Sequence, residues 1–260
     1  MSDTYEVFAV RYATMQNRVR AQNLMNCCGE EASHRMAMDY YLWLLRNGQE
    51  TIVVDTGAKT ETLTRRGRTP LLDIAATLLE VGVSTGQVED VILTHLHYDH
   101  AGGIDLFPAA QFHLQSSEWA FVNGGAMQHS LISGPYESAD IEIVRALIGT
   151  ERIRLYQGDH QLRPGIELRH VGGHTEGTQI VRVRTARGWL VLASDAMHFR
   201  ANADQRSPFP VVADVIANLD SHQLCIALAD ADELVIPGHD PETVRKIEPD
   251  PAHPQVFQLA

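Results

Sequence analysis

The densest chemistry in the sequence lies in six residues, His95-Leu96-His97-Tyr98-Asp99-His100, where three imidazoles and a carboxylate are interleaved with apolar or aromatic spacers. Imidazole nitrogen combined with carboxylate oxygen is a donor set that suits zinc, with iron, cobalt and manganese compatible by ligand type. One histidine in a chain is usually a core or surface residue, but four donors in six positions describe a loop wrapped around one or two cations. Weaker signals surround it. Arg65, Arg66 and Arg68 form a small basic group that either meets an acidic substrate or lies solvated in a loop. Met25, Met36, Met38, Trp119, Phe121 and Phe209 are pocket candidates that core packing would equally explain. Cys27-Cys28 lacks the paired CxxC of redox chemistry.

The elements that must position the cluster follow from pattern. Tyr40 to Leu45, Asn47-Gly48 and Ile52-Val53-Val54 predict a β-hairpin with a tight turn. Thr69 is expected to cap a helix with Pro70 in its first turn and Leu71, Ile74, Ala75, Leu78 and Leu79 at helical spacing up to Gly82. Val91-Ile92-Leu93 is short and unalternating, as in a strand covered on both faces, and runs straight into the histidines. Further strands are expected at 111–114, 153–156 and 166–171, with a second hairpin from 178–184 and 189–194 ending on Asp195. Helical patterns recur at Ile141, Val144 and Ile148, and at Val212, Val215, Ile216 and Leu219; 199–210 reads as a long ordered loop. Interleaved strands and helices predict a layered α/β domain.

With 260 residues and 44% hydrophobic content, one domain spanning 1–260 can bury a sizeable core. A net charge of -12 would repel phosphate backbones, so the expected partner is a small molecule and not nucleic acid. Bound divalent cations would offset part of that charge locally, which keeps anionic substrates in play. Three cysteines are too few for a disulfide framework, the opening Met1-Ser2-Asp3-Thr4-Tyr5-Glu6 is acidic where a signal peptide is basic, and no apolar run spans a bilayer. A cytoplasmic protein with no membrane partner is expected. The oligomeric state is left open, a homodimer included.

The run Thr94 to Gly103 resembles the signature of the metallo-β-lactamase superfamily. Gly172-Gly173-His174-Thr175, Ser194-Asp195-Ala196 and Pro237-Gly238-His239-Asp240 are similar to its later motifs and stand in the same order. The resemblance implies a four-layer αβ/βα sandwich holding two Zn2+ ions. His95, His97 and His174 would bind the first, Asp99, His100 and His239 the second, and Asp195 would bridge both. Within the superfamily the chain is most similar to lactonases that open N-acyl homoserine lactones, which places Asp99 and Asp195 in the catalytic machinery. Those enzymes have a tyrosine three residues after the bridging aspartate; here His198 stands there, able to donate a hydrogen bond to an oxyanion.

Asp55-Thr56-Gly57 is also similar to the catalytic turn of aspartic proteases, which need two copies sharing a proton, whereas this chain has one. The preferred role for Asp55 is to accept a hydrogen bond from a ligand histidine and orient it. The resulting expectation is a dinuclear zinc hydrolase acting on a lactone. Thioesterases or hydroxyacylglutathione-type hydrolases are the enzyme alternative, and a non-hydrolytic iron-dependent sulfur oxygenase the more distant one.

Overall fold

The computed structural model describes residues 3–48 and 50–260; Met1 and Ser2 of the acidic opening and Gln49 beside the expected hairpin turn lie outside them. The strands are β1 (Glu6–Met15), β2 (Met38–Asn47), β3 (Glu50–Val54), β4 (Thr69–Pro70), β5 (Asp90–Ile92), β6 (Gln111–Gln115), β7 (Ile153–Tyr156) and the last strand of the chain, β13 (Val256–Gln258), in one sheet, ordered β13-β1-β2-β3-β5-β6-β7 with β4 paired to β1. The second sheet runs β12-β11-β10-β9-β8, from β8 (His160–Arg163), β9 (Ile166–His170), β10 (Gln179–Thr185), β11 (Gly188–Ser194) and β12 (Val235–Pro237). β3, β5, β6 and β7 are mutually parallel, and β2–β3 and β10–β11 are the two expected hairpins.

Three cores divide these sheets and their helices into four layers. Between the sheets, Val7, Trp43, Leu45, Val54 and Ile92 meet Leu168, Val181, Val183 and Leu192. Outside the first sheet, Leu42, Leu44, Val53 and Val91 pack with Leu78, Phe121, Ile141 and Val144. Outside the second, Ile180, Val191 and Ala193 meet Cys225 of the helix Val215–Leu228. Alternate residues of β2 thus enter different cores, so Tyr40 to Leu45 is buried throughout and reads as an unbroken apolar run. This is the expected αβ/βα sandwich.

Three local expectations are corrected. Thr69 and Pro70 pair with β1 instead of starting a helix; the helix is Ile74–Glu80, and Asp73 caps it by accepting the Ala76 N–H at 2.8 Å. The helix expected from Val212 begins at Val215, because Asp214 accepts the N–H groups of Ile216 and Ala217. The 199–210 loop contains the helix Arg200–Asp204, whose Asn202 caps the Phe199 N–H and donates to the carbonyls of Asn23 and Ser207.

Candidate metal centre

Ligands in open α/β sheets gather at the carboxyl ends of strands, and every residue of the predicted cluster arrives at such an end. The run from His95 to His100 follows β5, His174 follows β9, Asp195 follows β11 and His239 follows β12. Asp55 follows β3 with φ of 61°, a left-handed conformation that aspartate tolerates better than most residues. Its Oδ1 accepts the Thr94 N–H at 2.8 Å, and its Oδ2 accepts the Thr94 hydroxyl at 2.9 Å and His100 Nδ1–H at 2.7 Å. Thr94 Oγ1 also lies 2.9 Å from Ser194 Oγ, which joins the ends of β5 and β11 across the two sheets.

The two oxygens of Asp195 face two different sets of imidazoles. Oδ1 lies 3.0 Å from His239 Nε2 and 3.2 Å from His100 Nε2, and Oδ2 lies 3.2 Å from His174 Nε2 and 3.9 Å from His95 Nε2. His97 Nδ1 stands 2.9 Å from His174 Nε2, and Asp99 Oδ2 is 3.9 Å from His239 Nε2. The side chains include a group of His95, His97, His174 and Asp195 and a group of Asp99, His100 and His239, each compact enough to hold an ion, and Asp195, His198 and His239 form a third group that overlaps both.

The protonation pattern fits cations. His174 Nδ1 donates to the Val211 carbonyl at 2.7 Å and His239 Nδ1 to the Asp39 carbonyl at 2.8 Å, so both Nε2 lone pairs point inward, as does that of His100. His95 Nε2, His100 Nε2, His239 Nε2 and Asp195 Oδ1 are buried without a hydrogen-bond partner among the described residues. Burying acceptors without donors is costly, and converging lone pairs are relieved by a metal ion. Burial holds His95, His97 and His174 below the usual histidine range, which keeps their lone pairs free. Burial alone would raise Asp195, but His198, His239, His100 and His174 outweigh it and hold the carboxyl well below its usual value. Burial likewise opposes charge on His100, yet Asp195, Asp55 and Asp99 together raise it well above normal, a demand for positive charge that a cation meets in place of a proton.

His198 joins this cluster. Its Nε2 lies 2.9 Å from Asp195 Oδ2, and its ring stacks on Phe209 with centroids 3.9 Å apart and planes 9° from parallel. Burial pushes it down to about 3, so it is neutral at physiological pH. His198, Phe209 and Met38 line a cavity of about 480 Å³ that opens onto His97, Asp99 and Asp195, and Arg66 and Arg68 line it too. Arg65 is exposed and pairs with Glu137, while Phe121, Trp119 and Met36 belong to the outer core. Cys27, Cys28 and Cys225 are free thiols.

One residue that pattern did not reveal is Glu118, in the helix Ser116–Val122. Fully buried, it accepts Leu96 N–H at 3.0 Å and Tyr136 O–H at 3.0 Å on Oε1, and Thr175 O–H at 2.6 Å and Gly177 N–H at 3.2 Å on Oε2. A single carboxylate so ties the His95–His97 segment to the segment after His174. Gly177 is required there, since a Cβ would stand 2.1 Å from the Glu118 nitrogen. Gly238 has a related role, because a Cβ would meet Ser194 at 2.6 Å and Asp195 Oδ1 at 2.9 Å. Nothing local distinguishes Glu118 from a solvated helix acid.

Fold and cluster together define the chain as an α/β sandwich protein of the metal-dependent hydrolase class. It belongs to the metallo-beta-lactamase superfamily, whose profile matches residues 39–239. An N-acyl homoserine lactonase of Bacillus sp is 26% identical over 225 residues, covering 80% of this chain and 84% of the relative. A probable metallo-hydrolase of Mycobacterium tuberculosis is 24% identical over 250 residues, covering 83% and 79%. Among solved structures, a quorum-quenching N-acyl homoserine lactone hydrolase superposes with a TM-score of 0.74 at 22% identity, covering 94% of this chain and 96% of that one. The dizinc quorum-quenching lactonase AidC does so with a TM-score of 0.70 at 19% identity, covering 91% and 88%. These superpositions establish the shared fold. No helix among the described residues is long and apolar enough to cross a membrane.

Proposed function

We propose that this protein is a dinuclear zinc hydrolase that opens the ester bond of a lactone, with N-acyl homoserine lactones the first class to test. The observation that carries the reading is the division of Asp195, whose two oxygens face separate imidazole sets. Relatives named as lactonases support the choice of bond. His95, His97 and His174 would hold one ion, Asp99, His100 and His239 the other, and Asp195 would serve both. Two such ions supply a water that is nucleophilic near neutral pH and a Lewis acid for the carbonyl.

The remaining work belongs to the side chains. Asp55 and the carbonyls of Val211 and Asp39 fix the imidazole orientations through their Nδ1–H groups. Asp195 stays ionised because four histidines surround it. Neutral His198, clamped on Phe209, would give up its present contact with Asp195 Oδ2 at 2.9 Å and donate its one N–H to the oxygen that gains charge as the carbonyl is attacked. Phe209 and Met38 keep part of the cavity wall apolar and limit competing water. A lactone suits such a site because its leaving alkoxide remains tethered.

Proton release in a pH-stat, run on lactones, linear esters and thioesters with metal-replete and chelated protein, tests the proposal. Lactones should turn over fastest, chelation should abolish turnover and zinc should restore it. Faster turnover of thioesters, or lactone turnover indifferent to chelation, would overturn it.

A further inference from the structure

The cavity in front of Asp195 is unusually cationic for a chain with a net charge of -12, because Arg18, Arg66 and Arg68 all line it. Its acidic lining residues are Asp99 and Asp195, both assigned above to metal ions. Arg66 is paired with Glu137 at 2.7 Å, a carboxylate it shares with Arg65 at 3.0 Å. Arg18 and Arg68 are different: neither has a carboxylate within ion-pairing distance among the described residues. Arg68 Nε donates to the hydroxyls of Tyr40 at 3.0 Å and Tyr98 at 2.9 Å, and Nη1 to the Arg66 carbonyl. Arg18 donates to the Asn23 side chain and the Gln22 carbonyl and lies over the Phe209 ring, 5.3 Å from its centroid. Both guanidinium groups are thus held in place by neutral hydrogen-bond partners and stand outside any ion pair among the described residues; burial opposes charge on Arg68, but Tyr40, Tyr98 and Asp99 outweigh it and hold that group above its usual value.

The two charges also feel each other. Burial lowers Arg18 from its usual value, Tyr40 partly offsets this, and the Arg68 charge adds to the lowering. Two half-buried like charges on one cavity wall, neither in an ion pair, form a surface that an entering anion would stabilise. A carboxylate is the planar acceptor that guanidinium matches best, and a cavity of about 480 Å³ is large enough for a small ligand.

We propose that Arg18 and Arg68 form a carboxylate subsite beside the Asp195 cluster, so that the substrate carries a free carboxylate remote from its scissile ester. The position of the ester rests on the lactonase reading; the carboxylate subsite does not. The discriminating substrates are a homoserine lactone acylated with one end of hexanedioic acid and the methyl ester of that compound, which share the scissile bond and differ in charge. The carboxylate should show a KM at least tenfold below that of its methyl ester, and the gap should narrow with added salt. The double variant Arg18→Gln/Arg68→Gln should raise KM for the carboxylate at least tenfold more than for the ester. Arg68→Lys, which keeps the charge, should retain part of the preference and serves if the double variant fails to fold. Equal KM values in the unaltered protein, or a preference that survives the double variant, would overturn the proposal. Calorimetric binding of hexanedioate to the metal-loaded protein supplies a readout independent of turnover. A tenfold weaker Kd in the double variant supports the subsite even if no lactone is hydrolysed, an outcome that would sink the lactonase reading alone. An unchanged Kd removes the subsite and leaves that reading standing.

Discussion

The carboxylate of Asp55 accepts His100 Nδ1–H at 2.7 Å while the same group holds the Thr94 N–H at 2.8 Å. This couples the imidazole orientation to the end of β5 and leaves His100 Nε2 directed at Asp195. Asp55→Asn keeps a side chain that tolerates the left-handed backbone but removes the charge behind the imidazole. Metal affinity or turnover should fall by about 10–100-fold, measured by competition with a chromogenic chelator, with thermal unfolding of the metal-free protein changed little by comparison. Unaltered affinity would mean that Asp55 is a turn residue only.

Glu118 gives a second prediction. Its two oxygens each accept one backbone N–H, from Leu96 and from Gly177. Glutamine has one acceptor oxygen, so in Glu118→Gln one of these fixed donors must face an amide NH2. Leaving such a group unsatisfied costs about 1–3 kcal/mol, and denaturant unfolding of the variant should show a loss of that order. A loss below experimental error would show that the two segments are held elsewhere.

The ease with which particular residues were read from sequence follows from whether their chemistry is local. His95, His97, Asp99 and His100 announce themselves by density, and β5 by an apolar run that both-face burial explains. His174, Asp195 and His239 depend on long-range assembly, and a resemblance of ordered motifs located them where spacing alone did not. Glu118 stayed hidden because its four donors come from segments distant in sequence. Thr69-Pro70 misled because the cap-then-proline pattern is satisfied equally by a short strand edge, and tertiary pairing with Ala13 and Thr14 decided between them. The helix within 199–210 escaped because Asn202 and buried contacts fix it without an apolar periodicity.

Asp140 predicts a pH effect outside the cavity. Burial, joined by Glu137 and Asp105 and partly offset by Lys59, pushes its carboxyl up to about 6. A folded pKa above the unfolded one means that protonation favours the folded state. The associated stability is fully present below about pH 4 and lost as pH rises through about 6. Asp140→Asn should therefore stabilise the protein by up to about 3 kcal/mol at pH 8 and by nothing at pH 4, read from unfolding midpoints across that range. A difference independent of pH would refute the account.

The central claim, that Asp195 unites two metal half-sites, is tested most directly by metal content per chain. Elemental analysis of zinc-loaded, desalted protein should find two ions in the unaltered chain and at most one in Asp195→Ala, with lactone hydrolysis lost alongside. Two ions and full hydrolysis retained in the folded Asp195→Ala variant would contradict it.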